Sequence, residues 1–460
     1  MHDPRDFMKG MAAAAVGMVQ ALLLLGALST PGAAQESDAT QRLRAWSDRV
    51  TRQMFRVSED VYTAVGYTLS ANSMIIGDDG IIIVDPGHSP ALSAGVRDEF
   101  EDITNKPIRA IIYTHGHGDH TRGASAFADE GADIEVWARA NFNAEPRAAA
   151  EAGLARFSRP ADTQGGDLPE GRSIAFNGPP RPMSPEERAS PVRLVAPTRT
   201  FDDERIELEI AGVQLELVAA PGETADQLYI WLPEQRLLFA GDNVFHTWPN
   251  VYPLRGTNRS IRDWIASLDK MIQQGPDLLV PGHGNPVTAN VVEQLTNRRD
   301  AMQWVYDRTI EGARRFMTPD ELVEYVALPE RFASLDYLAD YYGSVWGTAR
   351  QIYAQELGWF DGDPLNLHHE SPVEQSQRMA DWLGGVDHMM ERARGAMALG
   401  DALGAAQLAQ HVIRLRPDDA ESRLLMADAL DVLGENTLNT PARHYSFSYA
   451  NRLRREAGEY

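Results

Sequence analysis

The period of the apolar positions changes along this chain and divides it. In the first half the apolar runs are short, rich in β-branched residues and closed by turn residues. Val61–Leu69, Ser73–Gly77 and Ile81–Val84 are three such runs, with Asp78-Asp79-Gly80 between the last two, and Ile108–Tyr113 follows Pro107. This pattern predicts strands. Arg205–Val218 resumes the alternation, and Val213–Ala220, Leu237–Ala240 and Leu278–Val280 read as further strands. Helical spacing over Ala39–Met54, Ala91–Asn105, Trp264–Gln274 and Val291–Arg315 predicts the covering helices. Strands interleaved with helices predict a layered α/β domain.

Beyond residue 370 only helical spacing remains. Ser371-Pro372-Val373-Glu374 supplies an N-cap, a proline at the first helical position and a glutamate three residues on. Ala393–Leu399, Ala402–Leu415 and Glu421–Leu433 then follow as tetratricopeptide-like hairpins, a packing or dimerisation module. The expected division is a signal peptide at 1–34, a catalytic domain at 35–315, an aromatic-rich connecting segment at 316–370 that completes the active-site cleft, and an all-α dimerisation domain at 371–460. Residues 139–190, rich in Pro, Gly and charge, are expected either to wall the substrate cleft or to form a surface insertion.

The N-terminal reading rests on Met8-Lys9, an apolar run to about Leu28, and Thr30-Pro31-Gly32-Ala33-Ala34. A charged start, an apolar stretch and small residues at the end predict cleavage after Ala34 and a periplasmic or secreted protein with no stable membrane anchor. Composition narrows the partners. The 460 residues carry a net charge of -23, which argues against nucleic acid as a partner. An anionic substrate would need local cations in such a chain. There is no cysteine, so thiolate ligands and a cysteine nucleophile are excluded.

The chemistry concentrates in Thr114-His115-Gly116-His117-Gly118-Asp119-His120, directly after the strand Ile108–Tyr113. Imidazoles and a carboxylate suit Zn²⁺ and similar ions, and four donors on one loop exceed the share of one open zinc site, which implies two metals. Three further apolar strands end in turns that present one donor each: Glu223 after Pro221-Gly222, Asp242 after Gly241, and His283 after Pro281-Gly282. Donors converging from several strand ends point to one site. Asp85, after Ile81–Val84, reads as an acid behind the metals or as a turn residue, and His88 as a loop histidine.

This pattern resembles the metallo-β-lactamase superfamily. Glu223 in place of the usual histidine of the third motif resembles the alkylsulfatases of that superfamily, as do Asn250–Gly256, Tyr341-Tyr342-Gly343-Ser344-Val345 and Gly358–Pro364. The resemblance implies an αββα metallo-β-lactamase sandwich followed by a helical dimerisation domain, and a homodimer. It implies two zinc ions per chain: His115, His117 and Glu223 on the first, Asp119, His120 and His283 on the second, Asp242 bridging. Asp226 competes with Glu223 for its place. Arg255 matches the sulfate-binding arginine. Asn250, Tyr252, Tyr341 and Tyr342 are candidate pocket residues, and Asp119 is also placed among the catalytic set.

Three departures accompany the resemblance. Asp242 stands where the family has glutamate; Gly347 stands where a pocket histidine is expected; and the chain is expected to lack the family's C-terminal sterol-carrier-like domain. His246, four residues past Asp242, is the candidate general acid in place of the missing histidine. The implied reaction is hydrolysis of a small sulfate ester, an alkyl sulfate, by attack of a metal-bound hydroxide. Hydrolysis of a lactone, β-lactam or phosphodiester, and a non-catalytic metal-binding scaffold, remain as alternatives.

Overall fold

The computed structural model describes residues 36–153, 159–166, 168–169, 171–178, 183–254 and 259–459. The expected signal peptide at 1–34 and Arg255 lie outside the described residues.

Runs such as Ile81-Ile82-Ile83-Val84 are apolar on both faces, so they belong between two layers. The first sheet is seven-stranded: β1 (Gln53–Arg56), β2 (Val61–Val65), β3 (Asn72–Ile76), β4 (Ile81–Val84), β5 (Ile108–Ile112), β6 (Glu135–Arg139) and β7 (Arg199–Phe201), paired in that order. The second is five-stranded: β8 (Arg205–Ile210), β9 (Val213–Ala219), β10 (Leu228–Leu232), β11 (Leu237–Gly241) and β12 (Leu278–Pro281). Pairing is antiparallel from β1 to β4 and from β8 to β11, and parallel from β4 to β7 and between β11 and β12.

The strand period of two sorts the side chains into layers. Ile82 and Val84 meet Leu217, Ile230 and Phe239 between the sheets. Ile81 and Ile83 face the other way, onto Val96 and Phe100 of the helix Pro90–Ile103. Tyr229 and Leu238 likewise face Trp264, Leu268 and Met271 of the helix Ile261–Gln274. The layers are therefore helix, sheet, sheet, helix, as the resemblance implies.

Sequence reading and structure differ at several elements. The expected helix Ala39–Met54 ends at Ser47, and Gln53–Arg56 instead extends the first sheet by pairing with β2. Strands β6, β7 and β10 went unrecognised; β6 alternates half-buried and buried, and β7 has only three residues. The stretch 139–190 is not wholly irregular, for it holds the short helices Ala144–Glu151, Arg159–Gln164 and Pro185–Ala189.

The helical part has its own alanine-rich core, with Ala405, Ala409, Ala427, Ala429 and Ala450 at the helix contacts. It is not a detached module, because residues Asp38–Tyr460 form one compact unit. Phe332, Leu338, Tyr342 and Ile352 of the connecting segment join the core over the second sheet. No helix among the described residues is long and apolar enough to cross a membrane.

Candidate metal centre

The sequence-predicted donors arrive at one end of the sandwich because β4, β5, β9, β11 and β12 all end there. Close backbone approach lets them do so. A Cβ on Gly282 would stand 2.0 Å from Asp242 Oδ1, and the Gly282 N–H donates to the Gly241 carbonyl at 2.8 Å. Gly241 turns with a positive φ of 52°, and a Cβ there would meet Gln227 at 2.1 Å. Glycine is the residue that fits both positions.

Two donor groups result. Asp119, His120, Asp242 and His283 form one, and His115, His117 and Asp242 the other, each with its atoms within 4.8 Å of one another. In the first group His120 Nε2 lies 3.3 Å from His283 Nε2 and 3.2 Å from Asp242 Oδ1, and Asp119 Oδ2 lies 3.4 Å from His283 Nε2. In the second, His115 Nε2 lies 2.9 Å from His117 Nδ1 and 3.6 Å from Asp242 Oδ2. Asp242 alone belongs to both. Glu223 is set slightly apart: Oε1 stands 3.8 Å from His117 Nδ1, while Oε2 is held by the buried Arg259. Asp226 is occupied elsewhere, accepting from the Asn143 N–H at 2.9 Å and from the Thr224 hydroxyl at 2.5 Å.

Neighbouring groups orient the imidazoles. Asp85 sits at φ 49°, an uncommon conformation for a side-chain-bearing residue, and turns its carboxylate back along the sheet edge. It accepts from the Thr114 N–H at 2.8 Å, the Thr114 hydroxyl at 2.7 Å and His120 Nδ1–H at 2.8 Å. The Thr114 hydroxyl in turn accepts from His115 Nδ1–H at 3.0 Å. His283 Nδ1–H donates to the Leu69 carbonyl at 2.8 Å. Each ring thus turns its Nε2 toward the carboxylates, an arrangement that fixes tautomer and direction for a metal.

The buried charges act strongly on one another. Burial opposes an imidazolium at His120, yet Asp242, Asp85 and Asp119 raise it well above its ordinary range. Burial is likewise overcome at His283, which Asp242 and Asp119 raise to about 10. Asp119 and Asp242 stay well below the usual carboxylate range against burial, chiefly because of His120. His115, by contrast, is pushed well down by burial and by His120. Asp242 Oδ1 is buried without a hydrogen bond although two imidazole nitrogens stand 3.2 and 3.4 Å away. Divalent cations seated among these nitrogen and oxygen donors fit both observations.

His117, Asp119, Glu223, Asp242 and His283 line a cleft of about 560 Å³, with His115 and His120 fully buried behind them. Leu69, His88, Arg122, Phe176, Tyr342 and His444 also line it. Phe176 and Tyr342 are stacked with ring centroids 3.9 Å apart. Thr440 and His444 come from the last helix, Thr440–Glu456, and His444 Nε2 accepts from the Ile174 N–H at 3.2 Å. The helical module therefore contributes to the cleft wall within the same chain.

Four expected pocket residues do not line this cleft. His246 is half-buried in a side pocket beside His283, and its Nε2–H donates to the Asn285 carbonyl at 2.7 Å, so that proton is committed away from the donors. Tyr341 stacks on Trp46 at 4.5 Å and its hydroxyl donates to Asp336. Asn250 is buried and its carbonyl accepts from Arg259 at 2.7 Å. Tyr252 packs edge-on against Trp346 and fills the space beside Gly347, where a Cβ would meet it at 3.0 Å. Sequence reading missed Arg259, Thr114 and the His444 contribution. Arg259 stands three residues past the run Asn250–Gly256 that was singled out, and nothing local marks it as the partner of Glu223.

Comparison with known proteins identifies the family and the fold. The family model described as metallo-beta-lactamase superfamily matches residues 66–283, and the one described as alkyl sulfatase dimerisation matches residues 318–456. The chain is similar to a linear primary-alkylsulfatase from a Pseudomonas species, at 35% identity over 83% of this chain and 73% of that protein. It is also similar to an (R)-specific secondary-alkylsulfatase from Pseudomonas, at 28% identity over 88% of this chain and 63% of the relative. An alkyl/aryl-sulfatase from Saccharomyces cerevisiae is 28% identical over 83% of this chain and 60% of its own length. The solved structure of a stereoselective inverting sec-alkylsulfatase from Pseudomonas superposes with a TM-score of 0.81 at 27% identity, covering 90% of this chain and 67% of that one.

Proposed function

Because this chain belongs to the alkylsulfatase-like family of the metallo-β-lactamase superfamily, we propose that it hydrolyses sulfate esters, alkyl sulfates first, releasing inorganic sulfate and an alcohol. The observation that carries the reading is the pair of donor groups sharing Asp242 beneath a cleft with an apolar wall. The cleft volume lies within the range typical of small-molecule sites, roughly 300–1,000 Å³.

His115, His117 and Glu223 would hold one zinc ion and Asp119, His120 and His283 the other, with Asp242 available to both. Zinc bound there would supply Lewis acidity and lower the pKa of a water toward neutral. Arg259 holds Glu223 in place, and Asp85 fixes the His120 tautomer. Leu69, Phe176 and Tyr342 offer the surface against which an alkyl chain packs. Arg255 takes the sulfate oxygens with its planar fork of donors. No proton donor is assigned to His246, whose ring is committed to the Asn285 carbonyl. The helical module pairs two copies into a homodimer, and the N-terminal segment directs export to the periplasm or beyond.

The test is a substrate panel on zinc-loaded protein: dodecyl sulfate, an aryl sulfate, a lactone and a β-lactam. Preferential release of sulfate from dodecyl sulfate is expected. Preference for the lactone or β-lactam would overturn the substrate assignment, and turnover of none would favour a non-catalytic scaffold.

A further inference from the structure

Arg122 is the sole arginine or lysine among the described residues that line the cleft. It is exposed, while Thr121 and Gly123 on either side are buried. Most arginines of this acidic chain are paired; Arg97, Arg109, Arg172 and Arg236, for example, each face a carboxylate within 4.0 Å. Among the described residues Arg122 has no such carboxylate, although it stands beside a floor built from Asp119, Glu223 and Asp242.

Its position is set by the sequence four residues back. Residues i and i+4 share one face of a helical turn. At i lies Gly118, and the place its Cβ would occupy is 2.7 Å from Arg122 Nε and 3.1 Å from Arg122 Cζ. The guanidinium stem therefore lies across Gly118, between His117 and Asp119. Any side chain at 118 would displace it. Glycine in the donor loop thus does more than let the loop turn; it seats a cation next to two of the candidate ligands.

A chain with a net charge of -23 repels an anion at long range, and a local cation at the mouth of the site offsets this. An arginine fork matches two oxygens of a tetrahedral anionic headgroup. We propose that Arg122 is a headgroup-capturing residue at the cleft rim: it binds the sulfate of an incoming alkyl sulfate and hands the anion to the floor. The proposal rests on the sulfate-ester reading for its physiological ligand, and it is distinct from the role given to Arg255. A rim cation acts on encounter and ground-state binding, so its loss falls on KM and on salt dependence more than on kcat.

The experiment uses zinc-loaded full-length protein as wild type, Arg122→Gln and Arg122→Lys. Binding of decyl sulfonate, which has the anionic head and no ester to cleave, is measured by calorimetry at several ionic strengths; decanol serves as the neutral control. Steady-state hydrolysis of dodecyl sulfate is measured alongside. Arg122→Gln is expected to weaken decyl sulfonate binding about tenfold, the size of one charge-assisted hydrogen bond at a partly exposed site. It should also flatten the salt dependence, spare decanol binding and raise KM, and Arg122→Lys should restore most of the loss. Unchanged sulfonate binding in Arg122→Gln, or equal loss of sulfonate and decanol, would overturn the proposal. Sulfonate binding that depends on Arg122 in a protein that cleaves no sulfate ester would leave Arg122 standing and refute the sulfatase reading.

Discussion

Asp85 shows how a residue that donates nothing to a metal decides whether the donors can. Its two oxygens hold the Thr114 backbone, the Thr114 hydroxyl and the His120 ring, and the Thr114 hydroxyl holds His115 in turn. Asp85→Asn keeps the left-handed backbone, which asparagine tolerates, but offers an amide where His120 Nδ1–H needs an acceptor. Zinc affinity is expected to fall about 10- to 100-fold, as for other residues behind metal ligands. Competition against a chromophoric chelator measures it, and wild-type affinity would refute the role. At this scale the sequence was readable where donors were consecutive, as from His115 to His120, or stood alone after a Pro-Gly or Gly turn. It misled where tertiary packing decides. His246 and Tyr341 have cleft-compatible chemistry, but the Asn285 carbonyl and the Trp46 ring claim them. Both partners are distant in sequence.

Among elements, the turn after each strand carries as much information as the strand. Gly282 packs against Gly241 and Asp242 so closely that a methyl group has no room. Gly282→Ala must therefore move Asp242 or part the ends of β11 and β12. A displacement of about 1 Å in a catalytic constellation costs on the order of a hundredfold in rate. We expect that loss in sulfate release, with reduced zinc content and an unchanged far-ultraviolet circular dichroism spectrum; full activity would contradict the packing argument. Long apolar runs were legible as strands because both their faces are buried. β10 is equally buried but starts only a few residues after the Glu223 turn, which masked it. The Gln53–Arg56 strand was hidden because pairing with β2 overrides a helical pattern inherited from the segment before it.

The whole molecule closes the cleft with its own C-terminus. His444 reaches from the last helix to the Ile174 backbone, and burial pushes its pKa down to about 4. An unfolded histidine titrates near 6.5. Between those values the unfolded chain binds the extra proton, so the contribution of a neutral His444 is fully present above about pH 6.5 and is lost as pH falls toward 4. It amounts to about 3 kcal/mol at most. His444→Gln keeps an acceptor for the Ile174 N–H and removes the titration. Its melting temperature should therefore drop less than that of wild type between neutral pH and about pH 4.5; equal drops would refute the coupling. None of this was legible in the sequence, because a histidine on a helix of the terminal module carries no local sign of what it touches.

The central claim is that seven scattered donors hold a metal pair on which sulfate-ester hydrolysis depends. The direct test is titration of zinc into metal-free protein while sulfate release from dodecyl sulfate is followed. Activity is predicted to rise to a break at two equivalents per chain. A break at one equivalent, or activity independent of zinc, would contradict the account.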